Sequence, residues 1–251
     1  MTENVVSEQD ILNFALNLEY LEVEFYTYAI TGKSITSFGV GTKGQANGAN
    51  PKDGGTTVGG KQVTFSEDEF YTRDIVAQIS ADERAHVVLL RGALGSSAVA
   101  MPNIDLSALG FGFGNQNDFL RAARILEDIG VTAYSGAAGF LKTPDVITTA
   151  GCLLGAEAEH AAAIRTQIAR LKIQTSPLDG VDMVPPPSGQ TRQVLSINVS
   201  DGLIATRTAG QVLCLAFGGK AGAKQGGFFP TGLNGPINTS TEPAKASKVA
   251  A

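Results

Sequence analysis

The chain of 251 residues has two histidines, and both close the same short motif. Glu157 lies three residues before His160 in GAEAEHAAAIR, and Glu83 lies three before His86 in ADERAHVVLL. An α-helix turns about 100° per residue, so positions three and four apart share a face. The face of Glu157 and His160 also holds Leu153, Ile164 and Ile168, while that of Glu83 and His86 holds Ile75, Ile79 and Leu90. Each pair therefore points into an apolar stripe, toward a core. A second pattern also occurs twice. Glu19 precedes Tyr26 by seven residues and Glu127 precedes Tyr134 by seven, which is almost two turns. Glu19 shares its stripe with Leu12 and Leu16, and Glu127 with Leu120 and Ala123. The chain reads as two copies of one unit: a Glu–Tyr helix, then a Glu-x-x-His helix.

Four carboxylates directed at one core cannot stay ionised unaided. Burial of an isolated charge is very costly, and crowding raises carboxylate pKa values. Two divalent cations would neutralise them and give the neutral imidazoles an electron-pair acceptor. Oxygen-rich ligation with one imidazole per ion suits iron or manganese better than a closed, tetrahedral zinc site. The candidate ligands are Glu19, Glu83, His86, Glu127, Glu157 and His160. A lone Glu-x-x-His is weak evidence; two that use every histidine, each on an apolar stripe, are far more specific. Tyr26 and Tyr134 are the candidate catalytic residues, and a hydrogen bond from each hydroxyl to a ligand also fits a core aromatic. Glu22, one turn from Glu19, can face the same site. Glu24 reads as solvated, and Asp128, Glu159 and Asp82 as surface or supporting residues.

Four helices must position these groups. The first spans residues 7–31, with Ser7 and Asp10 as a capping pair and Gly32 at its end. The second starts at a Ser66–Glu69 capping box and runs to about Gly95; the third runs from Asp118 to Leu141. The fourth begins at TPD, with Thr143 as N-cap and Pro144 at the first helical position, and ends near Leu171. Residues 33–64 are a glycine-rich excursion without helical period. Residues 1–173 then form a bundle with the dinuclear site, and residues 174–251 an extension that packs on it. Within that extension QVLSINVS suggests a short strand, and Thr208 caps a short helix, AGQVLCLAFGG. Asn198 and Asn238 match the glycosylation pattern, which matters only in a secreted eukaryotic protein.

Composition narrows the function. A net charge of −5 argues against a basic nucleic-acid-binding face. No stretch is long and apolar enough for a membrane span, and MTENVVSEQD lacks the pattern of a signal peptide. The expectation is a cytoplasmic protein or a mature exported form. Cys152 and Cys214 are too few for a disulfide framework and read as two small buried thiols.

With these motifs in place, the chain resembles the ferritin-like superfamily. Glu19 with Tyr26, and Glu83-x-x-His86, stand as in bacterioferritins and rubrerythrins. LNFALNLEYLEVEFYTYAITG, ADERAHVVLLRGALG, AEAEHAAAIR and RTAGQVLCLAFGG with GGFFPTGLNG resemble more closely the desiccation-related group of that superfamily, over about residues 8–240. The resemblance implies an all-α, antiparallel four-helix bundle with a long Gly-rich loop between its first two helices and an irregular C-terminal extension. It implies two divalent metal ions, Fe or Mn, on the six ligands named above. The cysteine-rich iron site of rubrerythrins is absent, and the resemblance by itself implies no reaction. A redox reaction on hydrogen peroxide or dioxygen in stress protection is expected. The catalase-like form is favoured because it needs neither organic substrate nor electron-donor domain. The alternatives are iron handling as a ferroxidase, and a non-catalytic desiccation-associated protein with a silent site. The expected partner is that small-molecule oxidant, without nucleic acid or membrane; a homo-oligomer is compatible with the sequence.

Overall fold

The computed structural model describes residues 6–45, 51–67, 71–180, 182–189 and 192–245. Among them, four long helices form an antiparallel bundle: α1 (Glu8–Thr31), α2 (Thr72–Leu94), α3 (Gln116–Ala137) and α4 (Pro144–Arg170). A short fifth helix, α5 (Ala209–Ala216), follows in the extension. The Ser7 hydroxyl caps α1 and Asp10 returns the bond, so the capping box is real, and Gly32 closes the helix in the left-handed conformation at φ 70°.

α1 and α2 form one hairpin, α3 and α4 the other. At the start of α1, the Asn13 side chain donates to the Ser97 carbonyl just past the end of α2 (3.0 Å) and accepts from the Val99 N–H (2.9 Å). The two helices therefore run in opposite directions. α1 also packs along α3, and α2 along α4, so α2 and α3 sit on a diagonal. The segment 95–115 must cross the bundle lengthwise to join them, which is why this connection is long and α3–α4 is short.

The start of α4 carries a surprise. Thr143 is the N-cap, as expected, but its side chain makes no capping bond. Glu8, at the first position of α1, accepts instead from the Thr143 N–H (2.8 Å) and from the Thr143 hydroxyl (2.6 Å). A carboxylate there also faces the positive end of the α4 dipole. The start of α2 differs too. The helix begins at Thr72 behind Tyr71, while Ser66 lies before it and donates its N–H to the Gln116 side chain (2.8 Å). Glu69 lies outside the described residues. α3 stops at Ala137, and a 3-10 turn (Ala138–Phe140) replaces the further helical turn expected.

The glycine-rich excursion is bonded to the crossover instead of standing free. Gln45 exchanges backbone bonds with Ala98 and Ala100, Gly55 donates to Met101, and Leu106 donates to Val58. β3 (Thr57–Val58) pairs in parallel with β4 (Ile104–Asp105), and β1 (Gly44–Gln45) pairs antiparallel with β2 (Pro51–Lys52). Glycine permits this approach: a Cβ on Gly44 would sit 2.2 Å from the Ala98 carbonyl oxygen, and one on Gly55 2.4 Å from that of Pro102.

The extension returns to the bundle through ion pairs. Arg124 of α3 meets Asp182, Arg165 of α4 donates to the Val194 carbonyl (2.6 Å), and Arg207 reaches both Asp179 (2.7 Å) and the Thr132 hydroxyl (2.8 Å). Asp128 lies between Arg124 (2.5 Å) and Arg165 (2.7 Å), and all three are buried. Asp128 is thus a buried ionic link and not a surface residue. Ile197 and Ile204 make only an isolated bridge where a strand was expected. Both cysteines are free thiols; Cys214 is buried, but Cys152 is exposed, against expectation.

Candidate metal centre

The two Glu-x-x-His motifs meet at the bundle axis. The rings of His86 and His160 are 5.8 Å apart between centroids and near parallel. Glu19, Glu83, Glu127 and Glu157 are fully buried, and the histidines are 8% and 6% exposed. His86 Nδ1 lies 3.3 Å from Glu19 Oε2, 3.5 Å from Glu83 Oε2 and 3.6 Å from Glu157 Oε1. His160 Nδ1 lies 3.0 Å from Glu83 Oε1 and 3.7 Å from Glu127 Oε2. The donors fall into two groups: Glu19, Glu83, His86 and Glu157, then Glu83, Glu127 and His160, with the atoms of each group within 4.8 Å of one another. Glu83 gives one oxygen to each group. All six residues marked from the sequence are brought together.

Eight inward atoms of these six side chains have no hydrogen-bond partner: Glu19 Oε2, both oxygens of Glu83 and Glu157, Glu127 Oε2, and Nδ1 of each histidine. Buried polar atoms are normally satisfied. Donor atoms held at about 2.0–2.2 Å from a common ion would sit roughly 3.0–3.6 Å apart, and the observed spacings fall at or close to that range. The donor set fits two cations.

The electrostatics of the bare site agree. Burial, with repulsion from Glu83, pushes Glu19 up to about 8. Burial and neighbouring carboxylates drive Glu22 and Glu127 well above the carboxylate range and raise Glu157 as well. Burial alone would raise Glu83 too, but the adjacent His160 and His86 imidazoles outweigh it and bring the group to about 2. Burial alone would lower His160, yet the adjacent Glu83 carboxylate and the charges of Glu127 and Glu157 raise it to about 10; His86 is raised for the same kind of reason. Crowded acids must hold protons or gain positive neighbours, and dications would displace those protons.

The surrounding groups hold the donors in place. The Tyr26 hydroxyl donates to Glu127 Oε1 (2.5 Å), and the Tyr134 hydroxyl donates to Glu19 Oε1. The bonds cross between α1 and α3, so each tyrosine serves the glutamate of the other helix and not its own. Phe25 stacks on Phe119 at 4.7 Å, and Tyr26 meets both edge-on, which fixes its ring. Asp82 Oδ2 lies 3.4 Å from His160 Nε2, so this half-exposed carboxylate is placed to orient the imidazole. Glu159 is exposed.

Two carboxylates depart from their sequence reading. Glu24 is fully buried, not solvated: it accepts from the Ser34 hydroxyl (2.7 Å) beneath the glycine-rich excursion, and burial lifts it to about 7. Glu22 is 4% exposed and faces the centre across Gly130. A Cβ on Gly130 would lie 3.2 Å from Glu22 Oε1 and 2.4 Å from Glu157 Oε2. Gly130 stands three residues after Glu127, as Glu22 stands three after Glu19. The glycine in the second half of the repeat thus leaves room for the Glu157 carboxylate and, beside it, for the fifth carboxylate of the first half.

The sequence model of the ferritin-like domain matches residues 7–170, which carry all four bundle helices and all six inward donors. The chain belongs to the ferritin-like domain family. Among curated relatives of this ferritin-like chain, the desiccation-related protein PCC13-62 of Craterostigma plantagineum is 28% identical over 63% of this chain; the match spans about half, 52%, of that relative. The ferritin-like catalase Nec2 of Nesocodon mauritianus is 26% identical over 94% of this chain and 87% of its own length. Among the described residues, no helix is long and apolar enough to cross a membrane.

Proposed function

We propose that this ferritin-like chain holds two iron or manganese ions on Glu19, Glu83, His86, Glu127, Glu157 and His160, and disproportionates hydrogen peroxide to water and dioxygen. The observation that carries the reading is the set of eight buried, inward donor atoms without hydrogen-bond partners. The similarity to a protein named as a ferritin-like catalase, over nearly the whole chain, supports peroxide as the oxidant. When bound, the metal pair supplies the two-electron redox capacity that the reaction needs.

The residues of the chain do the rest by position. Glu83 presents one oxygen to each donor group and so fixes their separation. Tyr26 and Tyr134 hold the outer oxygens of Glu127 and Glu19, leaving the other oxygen of each free to face the site. Both tyrosines act as positioning residues in this reading. Asp82 faces Nε2 of His160, which leaves Nδ1 as the inward donor. Burial of all four carboxylates keeps bulk water out and strengthens each of these electrostatic contacts.

The test is metal analysis followed by dioxygen evolution from peroxide. About two ions per chain are expected, with turnover lost in Glu157→Ala and His160→Ala. A folded protein that takes up metal but evolves no dioxygen sinks the catalase assignment and leaves iron handling. A folded protein that takes up none sinks the centre itself and leaves a non-catalytic stress protein.

A further inference from the structure

The buried centre needs an entrance, and one pocket borders it at Glu22 and Gly130. It has a volume of about 330 Å³, counting its open side, and lies between α1, α3 and the C-terminal extension. Its walls are apolar: Leu21 comes from α1, Leu126 from α3, and Ala216 and Phe228 from the extension. Its one ionisable lining residue is Glu22, which sits beside Gly130. Glu22 is 4% exposed and accepts no hydrogen bond from any described residue, so an acceptor faces a pocket that offers it no donor. Beyond Gly130 lies Glu157: the missing side chain would have sat 2.4 Å from Glu157 Oε2. Only the Gly130 main chain and the Glu22 carboxyl group therefore stand between the pocket and Glu157, a donor of the metal centre.

We propose that this pocket is the entry path for the oxidant, and that the C-terminal extension, through Ala216 and Phe228, sets the size of molecule admitted. The inference rests on the metal centre proposed above, but not on the catalase reaction. The path suits a small, neutral molecule. Apolar walls do not bind it on the way, Glu22 offers a polar group at the floor, and the carboxyl oxygens of Glu22 and Glu157 fill the space beside Gly130, so that only a molecule of a few atoms can pass between them. A second apolar pocket is lined by Leu12, Ala15, Ala150 and Tyr134, whose hydroxyl is engaged with Glu19. Its lining holds no carboxylate and no glycine set against a donor of the centre.

The test uses the full chain loaded with Fe(II) and nitric oxide as a neutral diatomic probe, with binding followed by stopped-flow absorbance. Ala216→Phe fills the pocket from the side of the extension, and should slow nitric oxide binding about tenfold or more while metal content stays the same. Phe228→Ala should speed it and allow tert-butyl hydroperoxide to react where the parent excludes it; this variant decides the matter if Ala216→Phe does not fold. Ala150→Phe, which fills the other pocket, should leave the rate unchanged. The proposal is overturned if Ala216→Phe binds the probe at the parent rate, or if Ala150→Phe is the variant that slows it. Probe entry is read without peroxide turnover, so a failed catalase assay and a failed entry path give different results.

Discussion

Gly130→Ala separates the stability of the bundle from the chemistry of its centre. Glycine in a helix interior is less favourable than alanine by about 1 kcal/mol, and Gly130 lies well inside α3. On helix propensity alone, the substitution should raise the melting temperature of the metal-free protein by roughly 2–4 °C. The new Cβ, however, would fall 2.4 Å from Glu157 Oε2, whereas ordinary contact begins at 3.4 Å. The Glu157 carboxylate must therefore retreat by about 1 Å. Only the end of a flexible side chain has to move, so the fold tolerates the shift. The centre does not, because a displacement of about 1 Å in a positioned group is worth on the order of 100-fold. Metal affinity, measured by competition with a chromophoric chelator, should fall about 10- to 100-fold while the metal-free melting temperature holds or rises. Parent-like affinity for both ions in Gly130→Ala would refute the placement of Glu157 as a donor.

Metal uptake should release protons, since at pH 7 Glu19 (about 8) and His160 (about 10) hold theirs in the bare site. Calorimetry in two buffers of different ionisation enthalpy reads that release, and a value of zero contradicts the electrostatic account. The same groups bind more protons folded than unfolded, so metal-free stability falls as pH rises through 4.5–8 for Glu19 and 6.5–10 for His160. The melting-temperature gap between loaded and metal-free protein should accordingly widen from pH 6 to pH 9; a constant gap speaks against these assignments. Tyr26→Phe removes the bond that orients Glu127 and should weaken metal binding about 10- to 100-fold, with only a small change in metal-free stability. Asp128→Ala leaves Arg124 and Arg165 buried without their shared partner and should destabilise the protein by about 3–5 kcal/mol in urea unfolding; a loss under 1 kcal/mol would mean that the pairing is not stabilising.

The six donors were legible because a helix repeats every 3.6 residues: a polar residue on an apolar stripe announces itself at fixed spacing. Both Glu-x-x-His motifs and both glutamates of α1 and α3 were visible in that way. The crossed bonds of Tyr26 and Tyr134 were not, since periodicity says which face a residue occupies and nothing about which helix lies opposite. Glu24 and Asp128 were misread for one reason. They leave the central stripe, which directs them to solvent on periodicity alone, but the glycine-rich excursion covers the first, and Arg124, Arg165 and the extension around Asp182 enclose the second. Those covering segments lack a period, and their contacts depend on close backbone approach at residues such as Gly44 and Gly55. Glu8 caps α4 from 135 residues away, beyond the reach of any local rule. Gly130 did leave a trace, because a glycine inside a helical pattern usually has a packing reason. Its partners, Glu22 and Glu157, became clear only in three dimensions.

The central claim is that paired cations make the burial of these carboxylates tolerable. Its most direct test is elemental analysis of the folded chain after metal stripping and reconstitution with Fe(II) or Mn(II). The account predicts about two ions per chain, falling to one or none in Glu83→Gln, because Glu83 supplies an oxygen to both donor groups. A folded, reconstituted protein that retains no metal, or a Glu83→Gln variant that still retains two ions as tightly as the parent, would contradict it.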